Sequence, residues 1–204
     1  MKEVYRQTQL YKFLRYCNNN KLENIVLDCG AGGDCPPLGL FKEHGYITFG
    51  VDINNGQLKK ADKFANERKL DLNIMRGDIR RLPFSDQSMS YIYSYNTIFH
   101  MTKKDIKQAI EEIKRILKPG GLSFINFLSI EDQGYGIGEK VGRGEYMQQE
   151  NGNKVIHTYY EIDEGDKHFH NMKILYKENR NIERWYNNKM IKQNYIDYIV
   201  EKIK

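Results

Sequence analysis

Residues 25–34 read Ile25-Val-Leu-Asp-Cys-Gly-Ala-Gly-Gly-Asp34, and the fold turns on them. Ile25, Val26 and Leu27 form an apolar run of strand length, the kind buried on both faces of a parallel sheet. Asp28 closes that strand. Gly30, Gly32 and Gly33 then make a loop in which a backbone can pass close to a ligand, because no Cβ stands in the way.

Upstream, Leu10, Phe13, Leu14 and Cys17 recur at helical spacing and predict an amphipathic helix over about residues 3–17, stopped by Asn18-Asn19-Asn20. Downstream, Pro36-Pro37 suits the first turn of a short helix, with Asp34 as its N-cap and Gly45 as its stop. Tyr46 to Val51 predicts a second strand ending at Asp52. Leu58, Ala61, Phe64 and Ala65 mark the next helix, down to about Leu70. Leu72 to Met75 is a third strand, followed by Gly77-Asp78, and Ser90 to Tyr95 is a fourth. Thr102 with Asp105 forms a capping pair for a helix whose stripe is Ile106, Ala109, Ile110, Ile113 and Leu117. Lys118-Pro119-Gly120-Gly121 ends it, and Leu122 to Leu128 is a fifth strand.

Alternation of strand and helix predicts a parallel sheet with helices on both faces. Beyond Leu128 the alternation stops. Ser129 to Lys154 carries Gly134, Gly136, Gly138, Gly142 and Gly144 with little apolar periodicity, and predicts a functional lid or binding loop. Val155 to Glu161, Lys173 to Trp185 and Gln193 to Ile203 read as further strands, the last pair as an antiparallel edge hairpin. The expected division is one domain over 1–204. It comprises an N-terminal cap helix in 1–20, a ligand-binding core over 24–128, an acceptor-side insertion over 129–170 and the edge hairpin over 171–204.

The bulk composition narrows the function classes. With 204 residues, 40% hydrophobic and 29% charged, the chain can bury a sizeable core. No apolar run approaches the roughly 20 residues that span a bilayer, and the polar N-terminus lacks a signal-peptide pattern, so a cytoplasmic location without membrane partners is expected. Cys17, Cys29 and Cys35 are odd in number and contain no CxxC pair, against both a disulfide framework and a structural zinc site. The net charge of +5 is spread along the chain rather than clustered, so nucleic acid is an unlikely partner. A monomer or homodimer is expected.

Asp28, Asp52 and Asp78 stand at or just past the ends of the first three strands. In an open α/β sheet those ends line one crevice. Three carboxylates there suit a ligand with hydroxyls, an amine and positive charge. A nicotinamide dinucleotide would require G-x-G-x-x-G, but counting from Gly30 and Gly32 the third glycine position is Cys35. Asp34 also opposes a pyrophosphate, since like charges about 4 Å apart cost on the order of 4 kcal/mol at an effective dielectric of 20.

Here the chain resembles the class I S-adenosylmethionine-dependent methyltransferases, of the small-molecule, type 11-like kind. The resemblance rests on Val26-Leu-Asp-Cys-Gly-Ala-Gly-Gly33, Gly50-Val-Asp-Ile53, Gly77-Asp-Ile79 with Leu82-Pro-Phe84, and Leu117-Lys-Pro-Gly-Gly121. It implies a Rossmann-like three-layer sandwich, with a mostly parallel seven-stranded sheet and an antiparallel edge hairpin. It also implies S-adenosylmethionine as cofactor. Asp52 would bond the ribose hydroxyls, with Ile53 packed on the adenine; Asp78 would accept from the adenine amino group, beside Ile79. Asp28, Gly30, Ala31, Gly32 and Gly33 would lie along the methionine half, with Tyr95 and Asn96 beside them. Asp34 departs from the family motif, which often has a third glycine there.

Methyl transfer is an in-line displacement to which positioning alone can contribute about 7–11 kcal/mol, so a catalytic residue need not exist. The candidates are His100 and Asn96 after the fourth strand, Asn126 at the end of the fifth, and Arg143, Tyr146 and His157 beyond it; packing or surface roles are the competing reading for each. Asn96 lacks the Pro-Pro-aromatic continuation of amide and nucleobase amino methyltransferases. His168 and His170 lack fitting carboxylate partners, so no metal is expected. Tyr5 or Tyr11 of the first helix would touch the cofactor if that helix covers it. The expected function is methyl transfer to a small acceptor. The alternatives are a non-catalytic S-adenosylmethionine-binding regulatory module and an RNA methyltransferase.

Overall fold

The computed structural model describes residues 5, 7–150 and 152–203. Positions 1–4 and 6 of the expected N-terminal segment, Asn151 of the expected lid and Lys204 lie outside the described residues.

The first part of the chain folds as its periodicity predicts. Helix α1 (Thr8–Asn18) precedes strand β1 (Ile25–Cys29), and α2 (Leu38–Glu43) leads to β2 (Ile47–Asp52). Helix α3 (Asn55–Arg68), β3 (Ile74–Arg76), β4 (Met89–Ser94), α4 (Lys103–Ile116) and β5 (Leu117–Ser129) follow. Parallel pairing runs β3-β2-β1-β4-β5. Strand β10 (Lys189–Lys202) lies antiparallel on β5, and β9 (Met172–Tyr186) lies antiparallel on β10. These seven strands are the expected mostly parallel sheet with its edge hairpin.

Three details differ from the sequence reading. Asp34 does not cap α2, whose N-cap is Pro37 with no side-chain bond; Asp34 is exposed and lies 3.5 Å from Lys60 on α3. The Lys118–Gly121 stretch does not separate α4 from β5, because Leu117 already pairs with Met89 and a bulge absorbs the turn residues. The glycine-rich stretch after Leu128 is no plain loop. It builds β6 (Glu139–Gly142) and β7 (Glu145–Glu150), which with β8 (Asn153–Tyr160) form an antiparallel meander. Among the described residues this meander pairs with the main sheet where Leu128 and Ser129 meet Tyr159 and Tyr160. Two further contacts fasten it over α4: Thr158 Oγ1 donates to the Met101 carbonyl (2.6 Å), and Glu145 accepts from the Lys103 amide (2.6 Å). A carboxylate at that helix N-terminus also complements the helix dipole.

The core has one part on each face of the sheet. On one face α1, α2 and α3 bury Leu10, Phe13, Leu38, Phe41 and Phe64 against Val26, Tyr93 and Phe124. On the other, the α4 stripe of Ile106, Ala109, Ile110 and Ile113 packs on Leu27, Ile92 and Ile125. Thr102 caps α4 as expected, accepting from the Asp105 amide. Helix α1 is anchored at its start: Gln9 bonds the buried Asp197 of β10, which Arg180 of β9 also holds (Nε–Oδ2 2.6 Å). Among the described residues no helix is long and apolar enough to cross a membrane.

Candidate functional site

The strand order reverses at β1 and β4, so a crevice opens at their carboxyl ends, as doubly wound sheets require. Its volume is about 640 Å³. Gly30, Gly32, Asp52, Ile53, Asp78, Ile79, Tyr95, Asn96 and His100 all line it, whereas Asp28, Ala31 and Gly33, expected there, do not, because Asp28 and Ala31 are buried.

The glycine loop is held against β2, with the Gly30 and Ala31 amides donating to the Val51 carbonyl at 2.8 and 3.0 Å. Gly30 adopts φ +95°, and a Cβ there would collide with Thr97. Gly32 leaves no room either. A Cβ there would lie 2.5 Å from Asp52 Oδ2, the oxygen to which the Gly32 amide donates at 3.0 Å. Asp52 Oδ1 accepts from the Asn54 amide at 2.8 Å, and Asn54 in turn caps α3 by accepting from the Gly56 and Gln57 amides. The carboxylate is thereby fixed at the crevice wall with lone pairs to spare.

Asp28 lies beneath the loop, 2% exposed, with Oδ2 lacking any hydrogen-bond partner. Burial first, then the nearby Asp52, pushes its carboxyl well above the usual range. Asp78 is tied down. Its oxygens accept from Arg80 Nη2 (2.6 Å), Arg80 Nε (3.0 Å) and the Arg80 amide (2.9 Å). Arg80 holds the Asp78 carboxyl below its ordinary value. Sequence reasoning missed Arg80, which also lies 3.4 Å from Asp105. Ile53, 58% exposed, and the buried Ile79 give this end its apolar surface. Asp34 is not among the lining residues, so the negative character of the wall comes from Asp52, Asp78 and Asp105 instead.

At the other end Asn96 sits in a left-handed conformation (φ +53°) just past β4. Its amide donates to Asn126 Oδ1 and its Oδ1 accepts from Asn126 Nδ2, both at 2.8 Å. Next to it, His100 ends a short 3-10 turn (Ile98–His100). His157 of β8 approaches with ring centroids 4.9 Å apart, and Glu150 Oε1 stands 3.0 Å from His157 Nε2. That contact is too poorly angled to count as a hydrogen bond, so His157 Nε2 and His100 Nδ1 are both buried without one. Desolvation, followed by the neighbouring His157, lowers the His100 pKa.

Other candidates fall elsewhere. Tyr146 is buried in a tyrosine cluster, edge-on to Tyr135 and Tyr159 at 5.5 and 6.0 Å. Arg143 is 85% exposed and pairs with Glu161. Neither lines the crevice, because β7 turns Tyr146 inward and Arg143 sits at the hairpin turn. Tyr5 packs beneath Gly39 and Phe64, and Tyr11 is largely exposed, so neither reaches the crevice. His168 bonds Tyr160 Oη at 3.1 Å inside the core, while His170 is exposed and faces the Lys167 carbonyl, so they share no metal position.

Residues 27–125 match the family model described as a methyltransferase domain. The chain is 32% identical over 99 residues to a sterol 24-C-methyltransferase of Gibberella zeae, covering 48% of this chain and 26% of that one. It is 31% identical over 115 residues to methyltransferase GfsG of Streptomyces halstedii, covering 55% and 39%. The chain thus spans between about a quarter and two-fifths of these curated relatives. Over almost its whole length it superposes on a SAM-dependent methyltransferase from Methanosarcina mazei, with TM-score 0.74, 18% identity and 99% of each chain covered. A second S-adenosylmethionine-dependent methyltransferase, from Clostridium acetobutylicum, gives TM-score 0.71 at 16% identity over 99% of this chain and 94% of that one. The matched domain and the likenesses in fold agree: residues 27–125 match a methyltransferase domain, and the chain has the fold of these S-adenosylmethionine-dependent methyltransferases.

Proposed function

We propose that the protein transfers the S-adenosylmethionine methyl group to a small-molecule acceptor bound at the His100 end of the crevice. The observation that carries this reading is the convergence of Gly30, Gly32, Asp52, Asp78 and His100 on one crevice, with cofactor-type groups at one end and the His100 imidazole at the other.

The residues present fit the cofactor. The Gly30–Gly33 cradle would be filled by any added Cβ at Gly30 or Gly32, and the orphaned Asp28 Oδ2 beneath it suits a cationic group. Asp52 has free lone pairs for the ribose hydroxyls, Ile53 offers a flat apolar face to the adenine, and Asp78, oriented by Arg80, meets the adenine amino group. When bound, the cofactor supplies a methyl carbon already activated by a positive sulfur. The chain's own task is then to orient the acceptor and exclude water. Asn96, locked by Asn126, fixes the wall there, and the meander carrying His157 covers it.

A crevice of this size is of small-molecule dimensions. The sterol methyltransferase relatives, whose names specify a small apolar substrate, support the same substrate class. Calorimetry with S-adenosylhomocysteine tests cofactor binding, and labelled methyl transfer across an acceptor panel tests turnover. Micromolar binding with transfer to a small molecule is expected. Absent binding would overturn the assignment, and binding without transfer to any acceptor would instead favour a regulatory module.

A further inference from the structure

We propose that His100, His157 and Glu150 form a site for one divalent first-row cation of the Zn²⁺ type, placed to hold the methyl acceptor. This rests on the methyltransferase reading and deepens it.

The donor atoms of the three side chains all lie within 4.8 Å of one another. Ligands about 2.0–2.2 Å from a common centre stand at most about 4 Å apart, so modest side-chain rotation closes the set. Glu150 has that freedom, with its side chain 44% exposed at the end of β7. The imidazoles are in place already, one on the Ile98–His100 turn and one on β8, their rings 4.9 Å apart.

Two buried nitrogens in this cluster, His100 Nδ1 and His157 Nε2, make no hydrogen bond. A buried polar atom left unsatisfied is costly, and a shared cation satisfies both nitrogens and the carboxylate at once. The competing reading is a simple His157–Glu150 ion pair. It leaves His100 Nδ1 unexplained and does not account for the poor angle at His157 Nε2. Two imidazoles and one carboxylate are a donor set of borderline softness, with coordination positions left open.

Of the three ligands His100 lines the crevice, so a cation that it holds would stand at the crevice wall. An acceptor hydroxyl or thiol entering there would coordinate the cation. Its O–H or S–H bond then breaks, with the proton passing to solvent. The freed lone pair forms the new bond to the methyl carbon as the carbon–sulfur bond of the cofactor breaks. That electron pair stays on sulfur, leaving neutral S-adenosylhomocysteine.

Equilibrium dialysis of the full chain against Zn²⁺ tests the site, with Co²⁺ as a spectroscopic probe whose visible bands report nitrogen and oxygen ligands. One cation per chain is expected. His157→Ala and Glu150→Gln should each weaken it by more than about 100-fold, beyond the loss from disturbing an outer-shell partner alone. Thermal melting confirms folding, and Glu150→Gln, at a half-exposed position of near-equal size, carries the test if His157→Ala does not fold. No stoichiometric uptake, or undiminished affinity in the folded variants, overturns the site. Calorimetry with S-adenosylhomocysteine on the same protein separates the two readings. Cofactor binding without cation uptake rejects the cation site alone, whereas absent cofactor binding rejects the methyltransferase assignment.

Discussion

Asn96 and Asn126 exchange two hydrogen bonds of 2.8 Å, backbone amide to side chain one way and side chain to side chain the other. Asn126 is fully buried on β5, so this pair converts a rigid strand position into a fixed left-handed turn at the crevice wall. Asn126→Ala leaves the Asn96 amide unsatisfied and should destabilise the fold by about 2 kcal/mol. Urea denaturation measures it. An unchanged midpoint would show that the turn is held by something else.

Gly32→Ala sets a Cβ against Asp52 Oδ2. Either the loop or the carboxylate must move, and both would contact the cofactor. A fall of at least about 10-fold in S-adenosylhomocysteine affinity is expected, equivalent to about 1.4 kcal/mol. Asp52→Ala should lower affinity sharply as well. Calorimetry decides, and equal affinity in Gly32→Ala would remove the loop from the cofactor site.

Asp28 is buried with its carboxyl pKa raised, so the folded protein keeps a proton that the unfolded chain releases above about pH 4. The stability this group contributes is complete below that pH and is lost as pH rises through the folded value. Asp28→Asn removes the penalty and should raise the melting temperature at pH 7 by at least about 2 °C. It should also cost about 10-fold in S-adenosylmethionine affinity, through loss of a charge-assisted contact. A variant that is neither more stable nor weaker in binding contradicts this.

His168 behaves in the opposite sense. Burial, with Lys167 adding to it, lowers its pKa to about 4, so the unfolded chain binds the proton first as pH falls. Stability contributed by the neutral ring is full above about pH 6.5 and declines toward pH 4, by about 3 kcal/mol in all. His168→Gln should flatten that part of the stability–pH curve. Denaturation midpoints between pH 7 and pH 4 test it, and parallel curves for the two proteins would refute the assignment.

The seven-stranded sheet was legible because β1 to α4 alternate between strand and helix periodicity and stop at recognisable residues such as Gly45 and the Thr102 cap. The place of Asp52 and Asp78 in one crevice was legible for the same reason: topology sends the parallel strand ends there, so the two acids need only their positions along the chain. The meander was not legible, since its strands are short, charged and broken by glycines that elsewhere signal loops. Nor were Arg80 beside Asp78, Lys60 beside Asp34, or the approach of His157 to His100. Each depends on how separate elements pack, which no local period records. Asp34 shows the hazard: its place in the motif suggested a role in the crevice or as a cap, and its contact with α3 gives it neither.

The meander joins the main sheet through two residue pairs, just beyond the point where the family match ends at residue 125. The strand pairing is slender, but Thr158, Glu145 and the buried Tyr146 and Tyr159 bind the meander to the residues around α4 and β10, so any rewriting of its strands must keep those four contacts. On the proposed reading, the exposed strand positions between those anchors are where acceptor choice is open to redesign without disturbing the crevice floor.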